Sequence, residues 1–439
     1  MTTIQLPKLP KGKEFEEYIS AFMQLGRYYI ERNIIERDIR EVLELDILLT
    51  NYDTIPPTVV LVEARSGDWG FSDLFKVCGW MQYLHIPRGR FITNREQNNI
   101  DFFKKKAEIL GIELIVIPSL DDSKEVLSKI LPEPTPANID ENDIEVWRYS
   151  YWVERRLLER LTYKKKSHPD KKCFRALADY YYETNSGIFF TDNIIEKVAK
   201  LYSVFVDSPH ITAKTGHELI GEDFEDEYEK LPDEIYQAFL KCEDTDINIC
   251  TLLEHKARLA ILKNAVDYKL YKDAGVPGKT DDVTKSILGF EFNLIDSLPS
   301  SFKQGLDTIS KHKYFHRYPV FWQWFMWIFG GFILKDYEEK EYEILSQKTG
   351  IPRDEIPNAF SSYQILFPLD DGWFTDLHPH SEIKIIKMFP MPFRGVGANY
   401  RRGLYLENGN DPITSLEVSG TWTKTELIKW NNLAVNVLK

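Results

Sequence analysis

The chain reads VVLVEAR at residues 59–65, where an apolar run ends in Glu63, an alanine and Arg65. A second apolar run just upstream, ELDILL at residues 44–49, contains the acid Asp46. Both runs read as strands, and two neighbouring strands that each carry one acid can bring Asp46 and Glu63 together at one end of a sheet. Such a pair is a ready site for a hard divalent cation, and the adjacent positive charge indicates phosphate chemistry.

Length and composition describe a globular chain. Its 439 residues are enough for two or three domains of ordinary size. They are 43% hydrophobic and 13% aromatic, which provides material for substantial cores. The formal net charge of −13 excludes a surface that binds polyanions everywhere, so a nucleic-acid partner must contact a local basic patch.

Cysteine usage and hydropathy bear on the compartment. Four cysteines are widely scattered and form neither a metal-binding spacing nor a disulfide framework. This usage is typical of a reducing environment, so we expect a cytoplasmic protein. The most apolar stretch, residues 319–334, is shorter than the roughly 20 residues of a membrane-spanning helix and is rich in Trp and Phe. We expect it to be a buried helix, and we expect no membrane partner.

The N-terminal part follows a regular order of elements. Hydrophobic periodicity and turn residues predict helix 13–27, strands 28–35, 43–50 and 58–65, helix 72–85, strand 90–93, helix 99–110 and strand 112–117. Ser72 is the expected N-cap of its helix. The last part of this order is a βαβαβ pattern, which requires parallel strands joined by right-handed crossovers.

Composition changes twice along the rest of the chain. Residues 121–145 contain the stretch LPEPTPANIDEND and many acids, which predicts a linker. From residue 146 to about 365 helical periodicity dominates. Beyond that the chain becomes irregular, with short strands expected at 383–388 and 404–406.

Residues 11–118 resemble the PD-(D/E)XK nuclease superfamily, in particular its Mrr-like, restriction-endonuclease-like members. The opening GKEFEEYISAFMQLGRYY looks like the first helix of the family and places Glu16 at its helix carboxylate. Asp46 matches the motif aspartate, and Glu63 with Arg65 matches the E-x-K strand. The resemblance implies an α/β restriction-endonuclease-like domain, with a mixed central sheet flanked by helices, in residues 1–120. A larger, mostly α-helical recognition, regulatory or assembly domain is expected in 146–439.

The resemblance implies metal-dependent hydrolysis of phosphodiester bonds with Mg²⁺ or Mn²⁺ as cofactor. Asp46 and Glu63 are the expected metal ligands, the backbone carbonyl of Ala64 can supply a third oxygen, and Glu16 can bind directly or through water. Because successive residues of a strand face opposite sides, Glu63 and Arg65 share one face. The predicted catalytic residues are therefore Glu16, Asp46, Glu63 and Arg65.

Arg65 departs from the family pattern, which has lysine at this position. An arginine stays charged and cannot act as a base, but it can hold a phosphate or stabilise developing negative charge. Lys76, on the following helix, could reach back and supply an ammonium group. The alternative is a nuclease fold that has lost activity and serves as a nucleic-acid-binding or assembly subunit.

The expected partner is nucleic acid, with DNA favoured over RNA, and the expected activity is that of a DNA endonuclease in restriction or anti-phage defence. That assignment is an analogy at the level of the fold. A homodimer or a partner in a defence complex is also possible, because many such enzymes dimerise to cut both strands.

Two further features suit contact with nucleic acid. Trp69 could stack on a base, although a loop-anchoring aromatic is an equally good interpretation. A basic run interleaved with aromatic residues follows the linker, and the alternative for it is a solvated helix face. Arg65 and Trp69 are predicted to bind nucleic acid. The members of the basic run that are also predicted to bind it are Arg155, Arg156, Arg160, Lys164, Lys165 and Lys166.

Residues 340–362 have the spacing of apolar and turn residues that is typical of a helix-turn-helix motif, with a turn at 349–351. Such a motif can place a helix in the major groove of DNA. Motifs of this shape also occur as plain packing units, and the sequence leaves both interpretations open.

Overall fold

The computed structural model describes residues 10–37, 41–120, 122–131, 143–155 except 145, 149 and 153, 245–275, 300–329, 332–334, 338–366, 377–379 and 383–386. Predictions for Arg156, Arg160, Lys164, Lys165, Lys166 and strand 404–406 lie outside these residues.

A mixed five-stranded sheet forms the centre of the N-terminal part. Its strands are β1 Tyr29–Arg37, β2 Glu41–Asn51, β3 Thr58–Arg65, β4 Gly89–Thr93 and β5 Ile112–Val116. They lie in the order β1-β2-β3-β4-β5, with antiparallel pairing up to β3 and parallel pairing from β3 to β5. The predicted strands and the parallel βαβαβ part are confirmed.

Helices flank this sheet. α1 Lys13–Gln24, α2 Phe71–Tyr83 and α3 Ile100–Ile109 lie where the periodicity predicts helices, and α4 Ser123–Ile130 is an additional helix. α1 buries an apolar face that includes Phe15, Ile19 and Phe22, all fully buried. The N-terminal part is therefore an α/β domain.

The start of α2 differs from the prediction. The N-cap is Gly70, and Ser72 lies inside the first turn. The side chain of Asp73 accepts a hydrogen bond from the backbone N–H of Gly70 at 2.8 Å, which ties the cap to the first turn of the helix. The acid three residues after the cap, rather than the serine, supplies the capping side chain.

Helix α4 lies where the sequence predicts a linker. Asp122 caps it by accepting hydrogen bonds from the backbone N–H groups of Lys124 and Glu125, at 2.9 and 3.1 Å. Its apolar face is buried, and Nη1 of Arg90 on β4 donates to the carbonyl of Ile130 at 2.7 Å. Residues 123–130 therefore extend the α/β domain beyond the predicted boundary at residue 120.

The later part of the chain is mostly helical where it is described, with α5 Thr245–Asp273, α6 Ser300–Ile309, α7 Tyr318–Trp327, α8 Glu338–Thr349 and α9 Ile356–Leu366. Strands β6 Phe332–Leu334, β7 Leu377–Pro379 and β8 Ile383–Ile386 form a small sheet in the order β6-β8-β7. Every residue of α7 is buried, as predicted for the apolar stretch, whose end instead forms β6. No helix within the described residues combines the length and the apolar character needed to cross a membrane.

Helices α5 and α7 pack directly on the sheet, so one continuous core joins the two parts. β1 is an edge strand, and the side chain of Gln323 on α7 binds its free edge. Gln323 accepts from the backbone N–H of Ile30 at 3.1 Å and donates to the carbonyl of the same residue at 2.7 Å. α7 thus covers an edge that would otherwise be open to pairing.

Residues 340–362 form two helices, α8 and α9, joined by a turn in which Gly350 has φ 74°. Leu345, Ile351 and Ile356 are fully buried. α9 packs against α6 and α7, and the ring of Tyr363 stacks on Trp322 with centroids 3.7 Å apart. Most of α9 faces other helices, so the arrangement corresponds to a packing unit and not to an exposed recognition helix.

Candidate active site

Asp46 and Glu63 meet where β2 and β3 stop pairing. The antiparallel register runs to Ile47 and Val62, and the two acids come next on their strands. Beyond the last paired residues, Oδ2 of Asp46 accepts a hydrogen bond from the backbone N–H of Ala64 at 3.0 Å, so a side chain of β2 replaces its backbone as the partner of β3. The predicted convergence of the two acids at one edge of the sheet is present.

Glu63 is a buried acid with an incomplete set of partners. Its side chain is 3% exposed, and Oε1 lies 3.4 Å from Nζ of Lys76 on α2. Oε2 is buried without a hydrogen-bond partner among the described residues. Burial, followed by the charge of Asp46, raises the pKa of Glu63 from 4.5 to about 7, although Lys76 and Arg65 oppose this shift.

Two opposing effects act on the pKa of Asp46. Burial raises the pKa of its carboxyl group, whereas the hydrogen bond from Ala64 and the charges of Lys76 and Arg65 lower it. Since these two cations act on both Asp46 and Glu63, positive charge from β3 and from α2 surrounds the acid pair.

Glu16 joins the pair from α1. Burial, followed by the charge of Asp46, raises the pKa of Glu16 from 4.5 to about 8, although Arg32 on β1 opposes this shift. The Oγ of Ser66 accepts a hydrogen bond from the backbone N–H of Gly12 at 2.7 Å, which ties the start of α1 to the end of β3. The three predicted acids therefore interact, with Asp46 in the middle.

The donor set fits a cation that needs few protein ligands. Within the described part of the chain, no group of three or more His, Cys, Asp and Glu side chains could by itself hold a metal ion. Mg²⁺ at phosphate sites is bound by one or two carboxylates, with waters and substrate oxygens completing an octahedron. Asp46 and Glu63 meet this smaller requirement. Because Oε2 of Glu63 is buried and unpartnered, a cation there would satisfy it and relieve the repulsion between the acids.

Arg65 lies exposed at the end of β3, next to the acids. Its guanidinium is therefore accessible to a phosphate approaching from solvent. Lys76 is 45% exposed, and its ammonium also lies 4.1 Å from the ring centroid of Trp80. Sequence reasoning raised the possibility that Lys76 reaches back, and its ammonium does reach Glu63.

Trp69 does not lie in a position to stack on a base. It is 5% exposed, its Nε1–H donates to the carbonyl of Arg95 at 2.7 Å, and its ring packs 5.2 Å from that of Phe91. Gln97 donates to the carbonyl of Trp69 at 2.5 Å. The proposed base contact by Trp69 is corrected to a loop anchor, because its polar atoms and its ring are used inside the protein.

Arg155 is also engaged internally. Its Nε donates to Glu17 at 2.6 Å and its Nη2 to Glu14 at 3.3 Å, both on α1, and its side chain is 17% exposed. A charge paired with two carboxylates and largely buried offers little to a phosphate. The predicted nucleic-acid contact by Arg155 is therefore corrected to a link between α1 and the helical segment at 143–155.

Sequence reasoning missed Arg32. Its guanidinium lies 4.1 Å from the ring centroid of Tyr151, its side chain is buried, and its charge lowers the pKa of both Glu16 and Glu17. The arginine in the middle of a strand-like run was the available signal, since a buried cation requires acids nearby.

Comparisons with protein-family models, with curated proteins and with solved structures find no match for this chain, so the assignment of a function depends on the site itself.

Proposed function

We propose that the chain is a metal-dependent nuclease that hydrolyses phosphodiester bonds, with a DNA endonuclease of restriction or anti-phage defence as the expected form. The observation that carries the proposal is the Asp46–Glu63 pair on adjacent strands. One acid is fixed by the N–H of Ala64, and the other retains a buried, unpartnered oxygen beside two cations.

Each residue has a separate task in this proposal. Asp46 and Glu63 would hold Mg²⁺ or Mn²⁺, and Glu16, beyond Asp46, would bind through water. When bound, the cation neutralises phosphate charge and lowers the pKa of water. The exposed guanidinium of Arg65 would grip the scissile phosphate, since its fork of donors matches phosphate oxygens.

Lys76 compensates for the missing lysine of β3. Its ammonium lies 3.4 Å from Oε1 of Glu63, so it brings a positive charge to the same acid pair. In this proposal, Arg65 would bind the substrate phosphate. Lys76 would supply the ammonium that the nuclease family places on the strand corresponding to β3. The restriction-endonuclease-like architecture also belongs to the proposal, with the mixed sheet and flanking helices in support.

The test compares cleavage with metal binding. Purified protein is incubated with linear, plasmid and single-stranded DNA and with RNA, with Mg²⁺ or Mn²⁺. Asp46→Asn and Glu63→Gln should abolish cleavage and Mn²⁺ binding by calorimetry while leaving the circular dichroism spectrum unchanged. Glu113→Gln removes a carboxylate that is half exposed on β5 and pairs with Arg90, so it serves as the matched control. Equal cleavage by wild type and both site variants contradicts the proposal.

The second candidate is a nuclease-fold protein that binds nucleic acid, or assembles with other proteins, without cleaving. Arg65 in place of lysine favours it, because arginine cannot take up a proton from water. Binding of DNA without cleavage under any metal, together with cleavage by Arg65→Lys alone, supports this second function and identifies Arg65 as the cause.

A further inference from the structure

Two phenylalanines stand exposed beside the candidate active site. Phe75 on α2 is 60% exposed and Phe102 on α3 is 50% exposed. Both rings lie against Phe71 at the start of α2, with centroids 6.5 and 5.7 Å from it. Phe71 in turn stacks on Phe103 at 4.6 Å. We name Phe71, Phe75 and Phe102 the aromatic ledge.

The ledge lies at the edge of the sheet that carries the acids. In a parallel βαβ unit the helix begins near the carboxyl end of the preceding strand, so α2 and α3 start beside the ends of β3 and β4. Phe75 also directly precedes Lys76, whose ammonium contacts Glu63. A nucleic-acid strand whose scissile phosphate lies at the acid pair would therefore place its neighbouring nucleotides beside the aromatic ledge.

Charge at the ledge suits a polyanion. Lys76 follows Phe75 directly on α2, and α3 exposes the run 104–106, which is three consecutive lysines. The ammonium of Lys106 lies 5.6 Å from the ring centroid of Phe102. Exposed rings with cations beside them are the combination by which proteins bind single-stranded nucleic acid, because bases stack on the rings and lysines contact the backbone.

We propose that the aromatic ledge binds unpaired bases next to the scissile phosphate, so that the substrate is single-stranded DNA or DNA with a single-stranded segment. This inference rests on the proposed nuclease function and names its substrate class. Bases inside a duplex are already stacked on each other and cannot present their faces to Phe75 and Phe102. A single strand can do so without loss of base pairing.

The same helices provide matched controls. Tyr83 on α2 and Ile109 on α3 are 53% and 74% exposed. They lie eight and seven residues beyond Phe75 and Phe102, which is about 12 and about 10 Å further along their helices. Substitutions there remove comparable exposed apolar surface away from the acid pair.

The experiment measures binding of the full chain in EDTA, so that cleavage plays no part. The probes are a fluorescent single-stranded oligonucleotide containing 2-aminopurine and the blunt duplex of the same sequence. We expect the single strand to bind more tightly and to show quenched 2-aminopurine. Phe75→Ala and Phe102→Ala should each weaken its binding about tenfold, while Tyr83→Ala and Ile109→Ala should bind as wild type.

Leucine variants separate stacking from apolar contact. Phe75→Leu and Phe102→Leu keep apolar area but have no aromatic face, so we expect them to behave like the alanine variants. Wild-type binding by the alanine variants overturns the proposal. It is also overturned if light scattering shows a dimer that alanine disrupts and leucine restores, because the ledge would then bind a second copy.

The outcome separates this proposal from the nuclease assignment. If Glu63→Gln abolishes cleavage while the ledge variants bind single strands normally, the ledge proposal fails and the nuclease stands. If wild type cleaves nothing but ledge-dependent binding of single strands persists, the catalytic assignment fails and the ledge stands as a binding site.

Discussion

The ammonium of Lys76 lies 3.4 Å from Oε1 of Glu63, so a cation on helix α2 contacts an acid on strand β3. The two residues are separated by a loop and the first turns of the helix. In the proposed nuclease, this contact would place an ammonium at the acid pair while Arg65 occupies the end of the strand.

The first prediction concerns the contact between Lys76 and Glu63. Lys76→Ala should lower the cleavage rate about 10²- to 10³-fold, the range observed when one donor that stabilises developing charge is removed. It should also shift the pH profile upward, since Lys76 lowers the pKa of Glu63. Lys129→Ala, which removes an exposed lysine paired with Glu125 on α4, is the control. Full activity in Lys76→Ala would contradict a role for the Lys76 ammonium in the reaction.

The second prediction concerns pH. Glu63 and Glu16 keep their protons in the folded chain up to about pH 7 and about pH 8, whereas the unfolded chain loses them near pH 4.5. Between these values the folded state binds more protons, so the stability of the metal-free protein falls as pH rises from about 4.5 to 8. Glu63→Gln should therefore raise the free energy of unfolding at pH 8 by roughly 1–3 kcal/mol.

Mn²⁺ should reverse this dependence, because it binds the deprotonated acids. Thermal melts from pH 5.5 to 9, with and without Mn²⁺, should show a metal-induced rise in Tm that grows above pH 7 in wild type. The rise should be absent in Glu63→Gln and unchanged in Glu113→Gln. A metal effect that is independent of pH would mean that the cation binds elsewhere.

Local patterns in the sequence account for the sheet and the acid pair. The runs VVLVEAR and ELDILL are β-branched or leucine-rich and bounded by turn residues, so their strands, and hence the meeting of Asp46 and Glu63, follow from the pattern. Helix α4 was hidden because the prolines that follow it dominate the composition of residues 121–145. Its own pattern, Val126, Leu127 and Ile130 behind a capping aspartate, was available.

Other features leave no local signal. Trp69 and Arg155 have the chemistry of nucleic-acid contacts, and only their partners in the fold, Arg95 for one and Glu17 for the other, show that they are used internally. Docking of the helical part on the sheet depends on Gln323, which is separated from Ile30 by 293 residues. A polar residue inside an apolar helix signals that some buried partner exists, without identifying it.

The third prediction concerns Gln323. Gln323→Leu leaves the N–H and carbonyl of Ile30 without their side-chain partner and removes one of the two acceptors of the Gln24 amide, which keeps its hydrogen bond to Tyr151. Leaving buried polar groups unpaired should lower the free energy of unfolding by about 2–4 kcal/mol. Urea denaturation followed by tryptophan fluorescence measures this loss. Gln347→Leu removes an exposed glutamine from α8 and should change stability little.

The fourth prediction concerns the buried charges that hold α5 on the sheet. Lys263 lies 2.7 Å from Asp267 and 3.7 Å from Glu31, all within the core, and the hydroxyl of Tyr52, in the turn just after β2, donates to Asp267 at 2.7 Å. Asp267→Ala leaves Lys263 with one distant acid and Tyr52 without an acceptor. Removing one member of a buried ion pair typically costs about 3–5 kcal/mol.

Tyr52→Phe is the matched variant for this network, because it removes one hydrogen bond and leaves the charges paired. It should cost only about 1 kcal/mol. Since the core is continuous from the sheet to α5, we expect both variants to lower a shared unfolding transition, seen in parallel by tryptophan fluorescence and circular dichroism. If Asp267→Ala instead unfolds the helical part alone and leaves a second transition at the wild-type midpoint, then the α/β domain is stable without α5, and the buried charges serve only to dock the helix.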